Sequence, residues 1–258
     1  MRIVVPVKQV PDLVEELEPS PDGTDVDREF IKFVLNEFDD QALEEALLAK
    51  EATGAEVVVV ALDDPDVDQV LYTALAKGAD RAVKLSGTGA ADGWLPTHGR
   101  AAVLAAWLEG QAVDLVMTGV QAADDLDGQL PALLAARMGL PHASVVVAVE
   151  AREGAARVRQ EFSGGRAALL EVPLPAVLGI QAARQAPRYA PISRIRQAMQ
   201  AGGLEEVAVT PPAPAPGMSV RRLYPPEKTG HAEMLAGSPG DVAARIVELL
   251  RAKGLVKG

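Results

Sequence analysis

The chain of 258 residues contains no cysteine, one asparagine and few aromatic residues. The lack of cysteine excludes disulfides, cysteine-ligated iron–sulfur clusters and thiol catalysis. Aromatics make up 3% of the residues while 48% are hydrophobic, so the core must consist mainly of alanine, valine and leucine. No apolar run reaches the ~20 residues of a membrane span, and the apolar part of the start, MRIVVPVKQV, is too short for a secretory signal. We therefore expect a soluble, cytoplasmic protein.

Basic charge and catalytic groups are also scarce. Lysine and arginine number 25 against 36 aspartates and glutamates, a formal net charge of -11. Nucleic acids and anionic lipids bind basic surfaces, so a general affinity for either is not expected. His98, His142 and His231 are scattered without metal-ligand spacing, and no serine sits in a nucleophile elbow. The sequence thus predicts no catalytic residues and no metal site.

The first half of the chain alternates β-branched apolar runs with segments of helical periodicity. Strands are predicted at 2–8, 55–62, 79–85 and 113–119, and helices at 40–52, 66–78, 97–110 and 128–141. Short crossovers between parallel strands require helices. The pattern predicts an α/β fold with a doubly wound, mainly parallel, Rossmann-like sheet.

The pattern changes after residue 142. Strands within 143–180 follow each other with only short turns, which predicts an antiparallel extension of the sheet. The stretch EFSGGRAA (161–168) has two glycines, but it comes too late in the chain for the phosphate loop of an ATP pyrophosphatase, so we interpret it as a hairpin turn. The proline-rich stretch 210–217 and a lone amphipathic helix near 239–253 favour an extended C-terminal arm. We expect a nucleotide-binding domain at 1–208 and an arm at 209–258 that packs on a partner.

Three predicted strands end in segments that could bind a ligand: 6–12, 61–66 and 118–130. Ligands of open parallel sheets bind at the carboxyl ends of the strands, near helix N-termini. In the last segment Gly119 and Gly128 free the backbone, and the N–H groups of Gly128, Gln129 and Leu130 could hold a phosphate. An ordinary acidic loop is the alternative, because its aspartates would repel an anion.

The single asparagine, Asn36, stands in the stretch FVLNEFDDQALEEALLAKE (33–51) just before a predicted helix. It could cap that helix, although aspartate or serine would cap equally well. Only an amide combines a donor with an acceptor, as recognition of a base edge or a ribose requires. Both interpretations stay open. The carboxylates of residues 44 and 45 resemble a solvated helix face.

Residues 181–199, QAARQAPRYAPISRIRQAM, form a basic stretch in an acidic chain. Positive charge at the start of a helix opposes the helix dipole. An aliphatic side chain exposed among arginines is typical of a protein-docking element, and the alternative is a solvated helix start. The predicted docking residues are Arg184, Arg188, Tyr189, Ile192, Arg194 and Arg196.

Taken together, the chain resembles the beta subunit of electron transfer flavoprotein. The resemblance rests on VKQV after the first strand and on NEFDDQALEEALLAKE, TALAKGADRAVKL, DLVMTGVQAADDLDGQ and LPAVLGIQAARQAPRYAPISRI, in that order. It implies a non-catalytic subunit that binds AMP structurally and forms a heterodimer with an alpha subunit carrying FAD. Electrons would pass from acyl-CoA dehydrogenases or similar flavin dehydrogenases of fatty acid β-oxidation to a quinone oxidoreductase at the membrane.

The resemblance also implies particular site residues. Ile192 matches the family's hydrophobic anchor for the donor. The implied AMP site comprises Pro6, Lys8, Asn36, Phe38, Asp39, Leu62, Gly119, Gln121, Asp124, Asp127, Gly128, Gln129 and Leu130. Two alternatives remain: an adenylate-binding regulatory module of the universal-stress-protein kind, and a bifurcating beta subunit that holds a second FAD in place of AMP.

Overall fold

The computed structural model describes residues 1–14, 16–29, 31–90, 95–125, 128–211, 219–225 and 232–256. The chain divides into two compact units, Met1–Leu223 and Tyr224–Gly258. The strands are β1 (Arg2–Pro6), β2 (Gln9–Pro11), β3 (Phe33–Leu35), β4 (Glu56–Leu62), β5 (Arg81–Ser86), β6 (Leu115–Gly119), β7 (His142–Arg152), β8 (Ala155–Phe162), β9 (Arg166–Pro173), β10 (Ala176–Ile180) and β11 (Leu204–Ala208). The helices are α1 (Glu37–Thr53), α2 (Val67–Lys77), α3 (Thr97–Leu108), α4 (Leu130–Met138), α5 (Ile192–Ala201) and α6 (Pro239–Ala252).

A nine-stranded sheet with the order β11-β5-β4-β1-β6-β10-β7-β8-β9 forms the centre of the first unit. All neighbours from β11 to β7 are parallel, and β7, β8 and β9 are antiparallel. The predicted doubly wound, mainly parallel α/β fold is therefore confirmed, as are the four early strands and the helices between them.

The sheet is covered on both faces, as its parallel strands require. Alternate residues of β4 point to opposite faces: Val57 and Val59 pack with α1 and α2 in one core cluster, and Val58 and Val60 pack with α3 and α4 in the other. The run EVVVVAL is almost continuously apolar because both faces of the strand are buried.

The antiparallel extension is confirmed for β7–β9, but it is wrong for β10. That strand returns to the sheet and pairs in parallel with both β6 and β7. All five of its residues are buried, which is typical of a strand between two others in a parallel sheet. The hairpin interpretation of 161–168 is confirmed, since Phe162 pairs with Arg166 across the turn.

Two features were not predicted from the sequence. Strands β2 and β3 form a separate antiparallel pair. Strand β11 pairs with β5 at the edge of the main sheet, and its sequence LEEVA has too few apolar residues to stand out.

In the second unit the predicted amphipathic helix is present as α6, with a capping box formed by Ser238 and Asp241. The predicted domain boundary after residue 208 falls inside the first unit and stays a prediction. Within the described residues, no helix is long and apolar enough to cross a membrane.

Candidate functional site

The candidate site lies where three neighbouring strands end. Strands β4, β1 and β6 are adjacent and end at Leu62, Pro6 and Gly119. The chain continues from β1 to β4 on one side and returns to β6 on the other, so β1 and β6 flank the switch point at which open α/β sheets bind ligands. A cleft opens there, lined by residues at the ends of all three strands.

Most of the residues predicted for the AMP site come together in this cleft. It is lined by Pro6, Lys8, Asn36, Asp39, Leu62, Gly119, Gln121 and Leu130. The other predicted residues that the structure describes do not line the cleft. Phe38 packs against Gly119, and Asp124 pairs with Lys8. Gly128 and Gln129 lie just before α4. Asp127 lies outside the described residues.

Asn36 connects two of the loops at the cleft. It occupies the N-cap position of α1, yet its side chain makes no capping hydrogen bond, so the capping interpretation is wrong. Its Nδ2 donates to the carbonyl of Gln121 at 3.0 Å, and its backbone N–H donates to the carbonyl of Lys8 at 3.0 Å. The residue is almost fully buried. Asn36 therefore joins the start of α1 to the segment after β1 through its backbone and to the loop after β6 through its side chain.

Asp39, in the first turn of α1, is a buried carboxyl group at the back of the cleft. Burial raises its pKa to about 7, although the charge of Lys8 and several hydrogen bonds oppose the shift. The bonds include the N–H of Lys8 at 3.0 Å and the N–H of Gly119 at 3.2 Å. The group is thus partly protonated near neutral pH.

Lys8 partly neutralises the acidic loop after β6. Its ammonium pairs with Asp124 and lies 3.8 Å from a carboxylate oxygen of Asp125. Asp125 accepts a hydrogen bond from Ala122 N–H at 2.9 Å, and burial raises its pKa.

Arg100 of α3 is the main site residue that the sequence did not reveal. Its guanidinium donates to both carboxylate oxygens of Asp64 at 2.8 and 2.6 Å, and its Nε donates to the carbonyl of Leu95 at 3.2 Å. Burial acts to lower the pKa of Arg100, and Asp64 outweighs it and raises that pKa. Asp64 lies in the strand-end segment 61–66, which the sequence had indicated as a possible ligand site. No local sequence pattern indicated that Arg100 would be its partner. The other unpredicted lining residues are Val7, Val60, Thr97, Leu104, Ala122 and Asp125.

The predicted docking residues divide into two groups. Tyr189, Ile192, Arg194 and Arg196 are exposed. Arg184 and Arg188 instead pair with Glu45 and Glu44 of α1. Both glutamates are buried, so the interpretation of residues 44 and 45 as a solvated face is wrong.

Comparison with known proteins agrees with the resemblance seen in the sequence. Residues 25–212 match the electron transfer flavoprotein domain. The chain is 38% identical to the electron transfer flavoprotein subunit beta of Methylophilus methylotrophus, over 97% of this chain and 98% of the relative. It is 33% identical to the Caffeyl-CoA reductase-Etf complex subunit CarD of Acetobacterium woodii, over 99% of this chain and all of the relative.

A further relative is also an electron transfer flavoprotein subunit beta. The electron transfer flavoprotein subunit beta of Bos taurus is 32% identical over 77% of this chain and 78% of its own length. The family domain covers the docking residues and every strand of the main sheet except β1, and the match to the Methylophilus protein extends over 97% of the chain. The chain belongs to the electron transfer flavoprotein beta-subunit family.

Proposed function

We propose that this chain holds AMP in the cleft between β1, β4 and β6 and joins an alpha subunit that carries the redox-active FAD. The observation that carries the proposal is the convergence of Asn36 and Asp39 with the loop after Gly119 over the switch point of the sheet. In this proposal the chain binds the nucleotide and the partner proteins, and it does not catalyse a reaction. The stress-protein alternative is set aside, since the chain belongs to a different family.

The residues of the cleft fit an adenine nucleotide. Val60, Leu62, Leu104 and Leu130 supply apolar walls for a base, and Asn36, Gln121 and Thr97 supply polar groups at its edge. A Cβ at Gly119 would clash with Asp39 and Phe38, and a Cβ at Gly128 would clash with the Val120 carbonyl, so glycine at both positions allows the chain to pack closely around the cleft. The raised pKa values of Asp39 and Asp125 reduce their negative charge near neutral pH, and Lys8 offsets more of it. The bound nucleotide would tie the loops after β1 and β6 to α1.

The second part of the proposal concerns partners. The exposed side chains of Tyr189 and Ile192 are proposed to dock acyl-CoA dehydrogenases or similar flavin dehydrogenases. The alpha-subunit FAD would then pass electrons to a quinone oxidoreductase at the membrane. The C-terminal unit is proposed to pack on the alpha subunit, and the complex to act in the cytoplasm.

Nucleotide extraction from the purified heterodimer tests the first part of the proposal. We expect one AMP for each FAD after denaturation and separation of the nucleotides. Two FAD and no AMP would favour the bifurcating alternative. One FAD with no second nucleotide would contradict the assignment of the cleft.

A further inference from the structure

The segment between β10 and α5, residues 181–191, is fixed to the rest of the domain although it has no regular secondary structure. At its start the N–H of Gln181 donates to the carbonyl of Val146 in β7 at 2.8 Å. Further along, three backbone N–H groups donate to side chains of α1. They run from Ala183 to Gln41 at 2.8 Å, from Arg184 to Glu45 at 3.0 Å and from Arg188 to Glu44 at 2.9 Å.

The two arginines of the segment strengthen this attachment. Arg184 Nε donates to Glu45 at 2.8 Å, and Arg188 donates to Glu44 through Nε and Nη2 at 2.9 and 2.8 Å. A carboxylate that binds both the backbone N–H and the guanidinium of one residue fixes its main chain as well as its side chain. Burial acts to raise the pKa of Glu44, but the hydrogen bonds of Arg188 outweigh it and lower that pKa.

The glutamates are buried beneath the segment, and this separates them from ordinary surface ion pairs. Glu45 is 0% and Glu44 3% exposed. Glu45 also accepts the N–H of Val149 in β7 at 2.7 Å, so one carboxylate joins α1, β7 and the segment. A buried carboxylate is tolerated only when its partners are in place. The attachment therefore specifies one conformation of the segment.

This conformation exposes two apolar side chains. Tyr189 is 80% and Ile192 62% exposed, while Ala190 between them is buried. Arg188, directly before Tyr189, is the residue held most firmly by α1. A surface that is ordered before binding avoids part of the entropy cost of association.

We infer that Gln41, Glu44 and Glu45 are positioning residues that hold residues 181–191 in the conformation that presents Tyr189 and Ile192 to a partner protein. The inference rests on the proposed docking function. It assigns to α1 a second task beside the nucleotide cleft: its first turn borders the cleft, and its middle sets the docking surface. It also means that Arg184 and Arg188 bind glutamates of α1 rather than contacting the donor.

The test compares Glu44→Gln with Glu51→Gln in the assembled heterodimer. Both glutamates pair with Arg188, but Glu51 is exposed and bonds only its Nη1. With an acyl-CoA dehydrogenase from the same source as donor, we expect Glu44→Gln to raise the KM for the donor about tenfold at unchanged kcat. Glu51→Gln should leave the KM within about twofold, because exposed ion pairs contribute little. FAD reduction by dithionite should be the same in all proteins.

Trypsin provides a readout that needs no donor. Cleavage after Arg188 requires its guanidinium to leave Glu44, so Glu44→Gln should speed this cut about tenfold and Glu51→Gln much less. An unchanged KM together with unchanged cleavage in Glu44→Gln would overturn the inference. If Glu44→Gln does not assemble, Gln41→Leu, which removes only the bond to Ala183, is measured in the same two assays and decides in the same way.

The outcomes separate this inference from the proposed function. An unchanged KM in Ile192→Ala would contradict docking at this surface, while faster cleavage in Glu44→Gln would still support the positioning role. A raised KM in Ile192→Ala with no effect of Glu44→Gln in either assay would overturn the positioning role alone.

Discussion

Asp39 accepts a hydrogen bond from the backbone N–H of Gly119 at 3.2 Å, and a Cβ on Gly119 would lie 2.5 Å from the same carboxylate oxygen. The end of β6 and the start of α1 thus touch at a point where no side chain fits. A Cβ would also lie 2.8 Å from the backbone of Phe38. Both Asp39 and Gly119 line the cleft, so a shift at this contact would change the cleft.

We expect Gly119→Ala to weaken AMP retention and to cost about 1–3 kcal/mol of stability, because α1 must shift to admit the methyl group. Gly128→Val should act similarly, since Gly128 has a φ of +60° and its Cβ would lie 2.6 Å from the carbonyl of Val120. The measurement is the AMP content of the heterodimer after gel filtration. Gly203→Ala is the control, because its Cβ would make an ordinary 3.5 Å contact. Full AMP retention in both cleft variants would contradict the site.

Asn36→Ala should also reduce AMP retention and heterodimer stability while leaving the sheet folded. The change removes the buried hydrogen bond to the Gln121 carbonyl and leaves that acceptor without its partner, at a cost of about 1–3 kcal/mol. AMP stoichiometry and thermal unfolding measure the two effects. Gln200→Ala is a suitable control, because this exposed glutamine of α5 does not line the cleft. Equal stoichiometry in both variants would contradict a role of Asn36 in nucleotide binding.

Asp39 should make the stability of the nucleotide-free protein depend on pH. Burial raises its pKa from 3.8 to about 7 in the folded state. Between these values the unfolded chain releases the proton and the folded chain keeps it, so the free energy of unfolding falls as the pH rises. The contribution is fully present below about pH 4 and lost by about pH 7, on the order of 4 kcal/mol in all.

Urea unfolding of wild type and Asp39→Asn across this pH range measures the effect. The variant cannot titrate at this position, so the stability difference, wild type minus variant, should decline from pH 4 to pH 7 and level off above that. A difference that is constant with pH would mean that Asp39 is ionised in the folded protein throughout.

The sequence predicts the location of the cleft better than its detailed contacts. The strand-end segments 6–12, 61–66 and 118–130 could be placed together because the carboxyl ends of parallel strands share one edge of a sheet. The position of β10 between β6 and β7 could not be predicted from the sequence, since strand order depends on pairing between distant segments. Its continuous apolar run was a signal of a buried parallel strand.

The errors in the sequence-based interpretation concern charged residues. Glu44 and Glu45 resemble a solvated face because their partners, Arg188 and Arg184, lie about 140 positions away in the chain. Periodicity describes only neighbours along a helix, so it cannot reveal such a pair. The same holds for Arg100 and Asp64, which meet at the cleft from two different elements.

Removing the second unit tests the proposed role of the tail. We expect truncation after Leu223 to abolish binding of the alpha subunit while the remaining chain stays folded, because α6 by itself cannot form a core. Truncation after Ala208 should do the same at lower stability, since it also removes the 2.7 Å bond from Leu223 N–H to the carbonyl of Gly23. Gel filtration with the alpha subunit and circular dichroism measure the two properties. If the truncated chains still bind the alpha subunit, the C-terminal segment does not hold that subunit. If they unfold, the segment belongs to the core of its own domain.

Ile192→Ala tests docking itself. Ile192 is the first residue of α5 and is 62% exposed. If a partner buries it, truncation should cost on the order of 2 kcal/mol, or roughly thirtyfold in apparent donor affinity. FAD content, AMP content and reduction by dithionite should not change. Leu169→Ala is a matched control, because this leucine of β9 is 65% exposed but lies in another part of the sheet.

The salt dependence of the same reaction distinguishes the arginines. Within the described part of the chain, the side chains of Arg194 and Arg196 form no ion pair, whereas Arg184 and Arg188 are paired with α1. Free charges attract a partner over a distance that salt shortens. Raising the ionic strength should therefore lower the association rate, and the double variant Arg194→Ala, Arg196→Ala should lose most of that dependence. The measurement is donor-dependent FAD reduction against donor concentration at several salt concentrations. If Ile192→Ala keeps the wild-type affinity for every donor and the salt dependence survives in the arginine variant, this surface is a solvated helix start and the donors dock elsewhere.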